Sequence, residues 1–192
     1  MIYLIRHGQT ELNSRHVLQG RSDSPLNDAG RRQAESAAKA LSGIVFDRVY
    51  SSPLVRAVRT AEIITPYRKP VVDNRLIEMD YGPYEGADLN RLPPEVITFF
   101  SDFIRNPAPE GMEPLAAVVR RAGDFVEERC RSRDNILIST HAIAMKGILE
   151  VLTPASQGSY WSKYIGNCSV YAFGFRDGSF TVPEEIFVGS SR

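Results

Sequence analysis

Two short apolar runs that end abruptly in polar residues constrain this chain more than any other feature. Ile2 to Ile5 is continuously apolar and stops at Arg6-His7-Gly8, and Ile136-Leu137-Ile138 stops in the same way at Ser139-Thr140-His141. A strand that is apolar at every position buries both of its faces, the habit of parallel sheets with helices packed on either side. Helical periodicity appears between and after the runs. Ala34, Ala37, Ala38 and Leu41 fall at i, i+3, i+4 and i+7, with Gly43 as the expected stop. Val45 to Tyr50 reads as a strand ending at Ser51-Ser52-Pro53, where Ser52 is the expected N-cap and Pro53 the first residue of a helix with a Leu54, Ala57, Val58, Ala61 stripe. Pro70 to Asp73 reads as a further strand. Leu115, Val118, Val119, Ala122, Phe125 and Val126 predict a strong helix, and another is expected from about Ile143 to Leu152. Ser169 to Phe175 alternates and precedes Asp177-Gly178, which predicts a terminal antiparallel hairpin.

Strands alternating with helices predict an α/β fold, a three-layer α/β/α sandwich with a mostly parallel central sheet. No repeat or linker composition divides residues 1–192, so one domain is expected. The segment from Arg75 to Glu113 is different in kind. It is rich in proline and glycine and carries Phe99, Phe100 and Phe103 close together, so it reads as a loop with one short helix packed over something. Those phenylalanines are either core or part of a lid.

Charge and cysteine usage exclude several classes. The 23 Lys+Arg balance 23 Asp+Glu, which lacks the basic excess of proteins that bind nucleic acid or anionic membranes. Cys130 and Cys168 are the only cysteines and form no CxxC, so neither a disulfide framework nor a zinc ribbon is expected. The N-terminus has no basic n-region, and no stretch approaches the roughly 18 apolar residues of a membrane span. A soluble cytoplasmic protein, monomer or homodimer, is the expectation.

In open α/β sheets the ligand crevice lies beyond the carboxyl ends of the strands. His7 and His141 stand immediately after their apolar runs, and Arg6 accompanies the first. Arg56 and Arg59 fall in the first turns of the helix after Ser51-Ser52-Pro53, where the helix dipole prefers acidic groups. Imidazoles, guanidinium groups and helix N-terminal N–H groups at one edge make a pocket for a dianion such as phosphate. The usual devices of phosphoryl and hydrolytic chemistry are missing: there is no GxxxxGK[ST], no Cys followed six residues later by Arg, no HExxH and no GxSxG. Three histidines without HxH or HxxxH spacing give no metal site.

Arg6-His7-Gly8-Gln9-Thr10-Glu11-Leu12-Asn13 resembles the opening motif of the histidine phosphatase superfamily, in its phosphoglycerate mutase-like branch. Further blocks resemble the same family in order: Gln19 to Asn27 with Gly30, Ser51-Ser52-Pro53-Leu54-Val55-Arg56-Ala57 with Thr60-Ala61, Leu76-Ile77-Glu78 through Gly86, and Ser139-Thr140-His141. The resemblance implies a phosphoglycerate mutase-like fold with a lid-like insertion at about 78–113. It also implies phosphoric monoester hydrolysis without cofactor or metal, through a phosphohistidine on His7. Glu78 would be the general acid and base; by itself a glutamate in such a loop would be read as solvated surface. Arg6, Arg56 and His141 would hold the phosphoryl oxygens, with Asn13, Gln19, Gly20 and Ala142 helping to define the phosphate site. The implied partner is a small phosphorylated metabolite.

Mutases of this family carry a basic pair after the acid, whereas Met79-Asp80 follows Glu78 here, and an aspartate repels an anionic substrate. A phosphatase is therefore favoured over a mutase-type phosphotransferase. A non-catalytic phosphate-binding regulator is the reading from another class, and the choice among broad or specialised phosphatases stays open. The chain departs from the family pattern at Ala142, where glycine is common, and at Gly111-Met112-Glu113-Pro114. His16 is expected on a surface loop without a role, and Tyr160 to Tyr164 at a packed helix end.

Overall fold

The apolar runs become neighbouring strands because each can bury both faces only inside a sheet. The computed structural model describes residues 1–189, so the last three positions of the expected 1–192 span lie outside the described residues. In chain order the elements are β1 (Ile2–Arg6), α1 (Glu11–Ser14), α2 (Asp28–Ala40), β2 (Arg48–Ser51), α3 (Val55–Ile64), β3 (Val71–Val72), α4 (Pro94–Ser101), α5 (Leu115–Arg129), β4 (Ile136–Thr140), α6 (Ala142–Leu152), α7 (Ser159–Ser162), β5 (Val170–Phe173), β6 (Phe175–Arg176), β7 (Ser179–Phe180) and β8 (Glu184–Phe187). The main sheet runs β3-β2-β4-β1-β5-β8. Its β3, β2, β4 and β1 are mutually parallel, and β5 pairs antiparallel with both β1 and β8. Among the described residues no helix is long and apolar enough to cross a membrane.

Alternation along the central strands divides the core into two layers. Ile2, Leu4, Ile136 and Ile138 pack with Phe125 and Val126 of α5 and Met145, Ile148 and Leu149 of α6. Ile5 and Leu137 face the other way, onto Ala34 and Ala37 of α2 and Ala61 and Ile64 of α3. Burying each Ile, Leu or Phe contributes about 1.5–3 kcal/mol, so these two layers hold the sandwich together. A third cluster joins Met79, Tyr81, Val96, Phe99 and Met112 to Val118, Ile143 and Trp161. It brings the proline-rich segment down over α5, α6 and α7.

The helix ends differ from the sequence reading for local reasons. Asn27 caps α2 by accepting from Gly30 N–H at 2.8 Å, so the helix starts well before its alanine stripe, which marks only the buried face. It stops at Ala40 with Leu41 as C-cap, and Gly43 does not take the left-handed conformation expected of a stop residue. The helix expected from Ser52-Pro53 begins at Val55 with Leu54 as N-cap, because Ser52 Oγ is held by His141 and accepts only from Leu54 N–H. Val45 is exposed, and β2 pairs only from Arg48. The turn at Asp177-Gly178 forms as expected. Both residues have positive φ, 51° and 81°, as a primed two-residue turn requires, and they link β6 and β7 in a separate two-stranded sheet.

Two glycines fix the loop after β1 to the start of α2. A Cβ on Gly8 would collide with Gly30 O, and one on Gly30 with Gln9 O. Polar bonds tighten the same contact: Gln9 N–H donates to Gln33 Oε1 at 2.8 Å and Asn27 N–H to Gln9 O at 3.0 Å. Because the obstacle is backbone, Gly30→Ala is expected to destabilise the fold by about 1–3 kcal/mol, read as a lower urea midpoint; an unchanged midpoint would show that this contact yields freely.

Candidate active site

Strand register gathers the two histidines. Arg6 pairs with Thr140 and Ser51 with Ser139, so His7, His141 and Ser52 are each one residue past the end of adjacent parallel strands. The ladder continues through His7 N–H to Thr140 O at 2.9 Å and Ser52 N–H to Ser139 O at 3.0 Å. The imidazoles end up with centroids 5.0 Å apart, and both are buried.

Hydrogen bonds assign the state of each ring. His7 Nδ1 is 2.6 Å from Gly8 O, and a carbonyl only accepts, so the proton sits on Nδ1. His7 Nε2 therefore keeps its lone pair, and accepts from Arg56 Nε–H at 3.2 Å. His141 Nε2 lies 2.6 Å from Ser52 Oγ, which already accepts from Leu54 N–H. Assigning the serine proton to Nε2 leaves the His141 proton on Nδ1, which has no partner among the described residues. Burial pushes both histidines well below their ordinary pKa, and the Arg56 and Arg6 charges add to it. Both rings are thus neutral near pH 7.

Arg56 is fully buried at the start of α3. Its terminal nitrogens donate to Ser22 O at 2.7 Å and Gly20 O at 2.6 Å, which aims the guanidinium at His7. Desolvation lowers it to about 10, so it remains a cation at neutral pH. Arg6 donates to Ile165 O at 2.6 Å, and its Nε is buried without a partner among the described residues. Buried donors without partners are costly, and an oxyanion is what satisfies them.

Glu78 sits at the N-terminus of α6. Its Oε1 accepts from Met79 N–H at 2.9 Å and Ala144 N–H at 3.0 Å, and its Oε2 from Ile143 N–H at 3.1 Å. A carboxylate suits the positive end of a helix. The chain around it is braced on both sides, as Arg121 donates to Ile77 O at 2.5 Å and Glu113 accepts from Asp80 N–H at 3.2 Å. Arg121 also holds Glu113 through two bonds of 2.9 and 3.1 Å. Asp80 pairs with Arg21 at 3.1 Å and does not line the cavity, so its charge acts outside it.

A cavity of about 610 Å³ opens over this centre, and Arg6, His7, Asn13, Gln19, Glu78 and Ala142 line it. Ala142 is the first residue of α6 and has no positive φ, so its departure from glycine leaves the helix start intact. Gly20 contributes its carbonyl to Arg56 and its N–H to Glu85 Oε1 at 2.8 Å, and does not line the cavity. Arg59, expected beside Arg56, is instead turned outward and paired with Glu62 at 3.1 Å. Ser52 and Asn167 join the site without a sequence motif that assigns them to it. Asn167 Nδ2–H donates to His7 O at 3.0 Å. Its sole signal was proximity in the fold, since it lies 160 residues from His7. Trp161 is packed as expected but also walls the cavity with Phe100, Phe103 and Tyr164, and His16, in a turn after α1, lies at the same cavity. Among the described residues no group of three or more His, Cys, Asp or Glu is placed to hold a metal ion.

Residues 2–185 match the family profile described as histidine phosphatase superfamily (branch 1). The chain is similar to a putative phosphoserine phosphatase 2 of Hydrogenobacter thermophilus, 32% identical over 176 residues that cover 88% of this chain and 86% of the relative. It is also similar to a probable phosphoglycerate mutase GpmB of Yersinia enterocolitica, 31% identical over 177 residues covering 88% and 82%. A phosphoserine phosphatase mutant from Entamoeba histolytica, solved in complex with phosphoserine, superposes with a TM-score of 0.84 at 26% identity, over 98% of this chain and 96% of that one.

The buried neutral histidines make stability depend on pH. Unfolded, each takes a proton below about 6.5. Folded, His7 and His141 do not until much lower pH, so the unfolded state binds more protons below that point. Their stabilising contribution is complete above about pH 6.5 and is lost as pH falls towards 5, by up to about 1.4 kcal/mol per unit for each ring. Urea unfolding from pH 7.5 to 5 is expected to show this slope, and His141→Asn to flatten it; a flat wild-type profile contradicts the assigned states.

Proposed function

The chain belongs to branch 1 of the histidine phosphatase superfamily, and from that premise we propose that it hydrolyses a small phosphomonoester through a phosphohistidine on His7. It is an enzyme, a phosphoric monoester hydrolase. The observation that carries the proposed mechanism is the locked tautomer of His7: Nδ1–H is tied to Gly8 O, and Nε2 offers its lone pair among the cations Arg6 and Arg56. Phosphoryl transfer asks a protein mainly for positioning and preorganised positive charge, and both are built here from side chains.

In the proposed first step His7 Nε2 attacks phosphorus in line while the ester P–O bond breaks. Glu78, entering the step protonated, gives its proton to the departing oxygen, and the alcohol leaves. Arg56 Nε–H turns from Nε2 to a phosphoryl oxygen, and the partnerless Arg6 Nε–H and His141 Nδ1–H donate to the others. In the second step Glu78 takes a proton from water as the water oxygen attacks phosphorus. The P–N bond breaks, releasing inorganic phosphate and restoring His7 and protonated Glu78. Asn13, Gln19 and Ala142 border the phosphate from the cavity wall, and Gly20 acts through its carbonyl on Arg56.

The substrate is a small phosphorylated metabolite, and phosphoserine is the first to try because two of the three relatives above are named for it. The segment at about 78–113 acts as a lid: Phe100 and Phe103 face the cavity while Phe99 anchors it in the third core cluster. Hydrolysis is favoured over mutase chemistry because Met79 is buried and Asp80 is acidic at the positions after Glu78, so no basic pair stands there.

Phosphate release in EDTA from p-nitrophenyl phosphate, phosphoserine, sugar phosphates, nucleotides, α-ribazole phosphate and 3-phosphoglycerate tests this. Metal-free turnover of at least one ester is expected. His7→Ala is expected to abolish it, and substantial residual activity would overturn the nucleophile assignment. Arg56→Ala is expected to cost about 3 kcal/mol in kcat/KM, as for loss of one oxyanion donor; no change would place Arg56 outside the transition state.

A further inference from the structure

The same cavity holds a buried cation that the steps above leave unused. Lys146 of α6 is only 9% exposed and lines the cavity. Its Nζ donates to Trp161 O at 2.7 Å and lies 5.6 Å from the centroid of Phe103. An ammonium has three N–H donors, and the Trp161 carbonyl takes one. Among the described residues no carboxylate forms an ion pair with it. Lys163, the other lysine at the cavity, is already paired with Glu185 at 2.9 Å. Burial lowers Lys146 to about 8, against the opposing pull of the Glu78 charge, so it is mostly charged near pH 7.

A buried charge is costly unless it is paired. The surroundings sharpen that cost, for Phe103 lies tilted against Trp161 with ring centroids 5.8 Å apart, and the ammonium sits beside this apolar pair. We infer that Lys146 is the cation of a second subsite, which takes a carboxylate carried on the alcohol portion of the ester. This rests on the phosphatase reading above. A carboxylate fits better than a second phosphate, because one ammonium with two remaining donors balances a monoanion and leaves a dianion half neutralised. The inference also reconciles Asp80 with an anionic substrate: the cation that is missing beside Glu78 is supplied from α6.

A matched pair of esters tests it. 3-Phosphoglycerate and glycerol 3-phosphate differ only in a carboxylate against a hydroxymethyl group. Wild-type protein is expected to favour 3-phosphoglycerate by at least about tenfold in kcat/KM, the scale of a hydrogen bond to a charged group. Lys146→Met, which keeps the apolar stem, is expected to bring that ratio near one by raising KM for 3-phosphoglycerate, while glycerol 3-phosphate stays within about threefold; Lys146→Arg is expected to recover part of the preference. Equal losses on both esters would assign Lys146 to holding α7 and overturn the subsite. Absence of preference in the wild type overturns it as well, and decides the matter if Lys146→Met does not fold. Should no ester be turned over, the phosphatase reading fails separately, and calorimetric Kd values of the two esters on His7→Ala still judge the subsite, equal affinities overturning it.

Discussion

The bond from His7 N–H to the Thr140 carbonyl is the interaction on which the rest of the site depends. It extends the β1–β4 ladder one step past the sheet and so fixes His7 and His141 side by side, their centroids 5.0 Å apart. A parallel sheet ends its strands on one edge, and both faces here are sealed by helices, so that edge is where polar groups can open to a ligand. The loop after β1 cannot drift, because Gly8 and Gly30 bring two backbones together with no room for a Cβ. The proposed nucleophile is therefore positioned by the fold's most central pairing, with no reliance on a flexible segment.

Electrostatics follows from that placement. Burial beside two guanidinium groups keeps both imidazoles neutral, and only a neutral imidazole has a lone pair to offer. Each cation is in turn held by carbonyls: Ser22 and Gly20 for Arg56, Ile165 for Arg6 and Trp161 for Lys146. Carbonyls orient a cation without neutralising it, so the charge remains available to an anionic ligand. Apart from Glu78, the acidic residues around the site are arranged in the opposite way. Glu85 is spent on Gly20, Arg21 and Ser22, Glu113 on Arg121 and Asp80 N–H, and Asp80 on Arg21, so they shape the loops from outside the cavity.

Much of this was legible in the chain. The apolar runs gave the central strands, the alanine and valine stripes gave α2 and α5, and polar residues right after the runs pointed to the sheet edge. Helix starts were less legible: Ser52-Pro53 has every mark of an N-cap, yet Ser52 is taken by His141, a residue 89 positions away. Arg56 and Arg59 look alike in sequence, and only helix orientation sends one inward to His7 and the other out to Glu62. The Tyr160 to Tyr164 segment read as packing, and Trp161 does pack, but its carbonyl and ring also build a cavity wall.

By itself the sequence determined the layered α/β architecture and the family, because both are written in local patterns: runs, periodicities and ordered motifs. Tertiary structure alone decided the protonation states, the outward turn of Arg59, and the buried position of Lys146 against Phe103 and Trp161. Those depend on burial and on hydrogen-bond partners far away in the chain. A lysine in a helical stripe reads as a solvated charge until the fold closes over it, since desolvation is a property of the surroundings rather than of the residue.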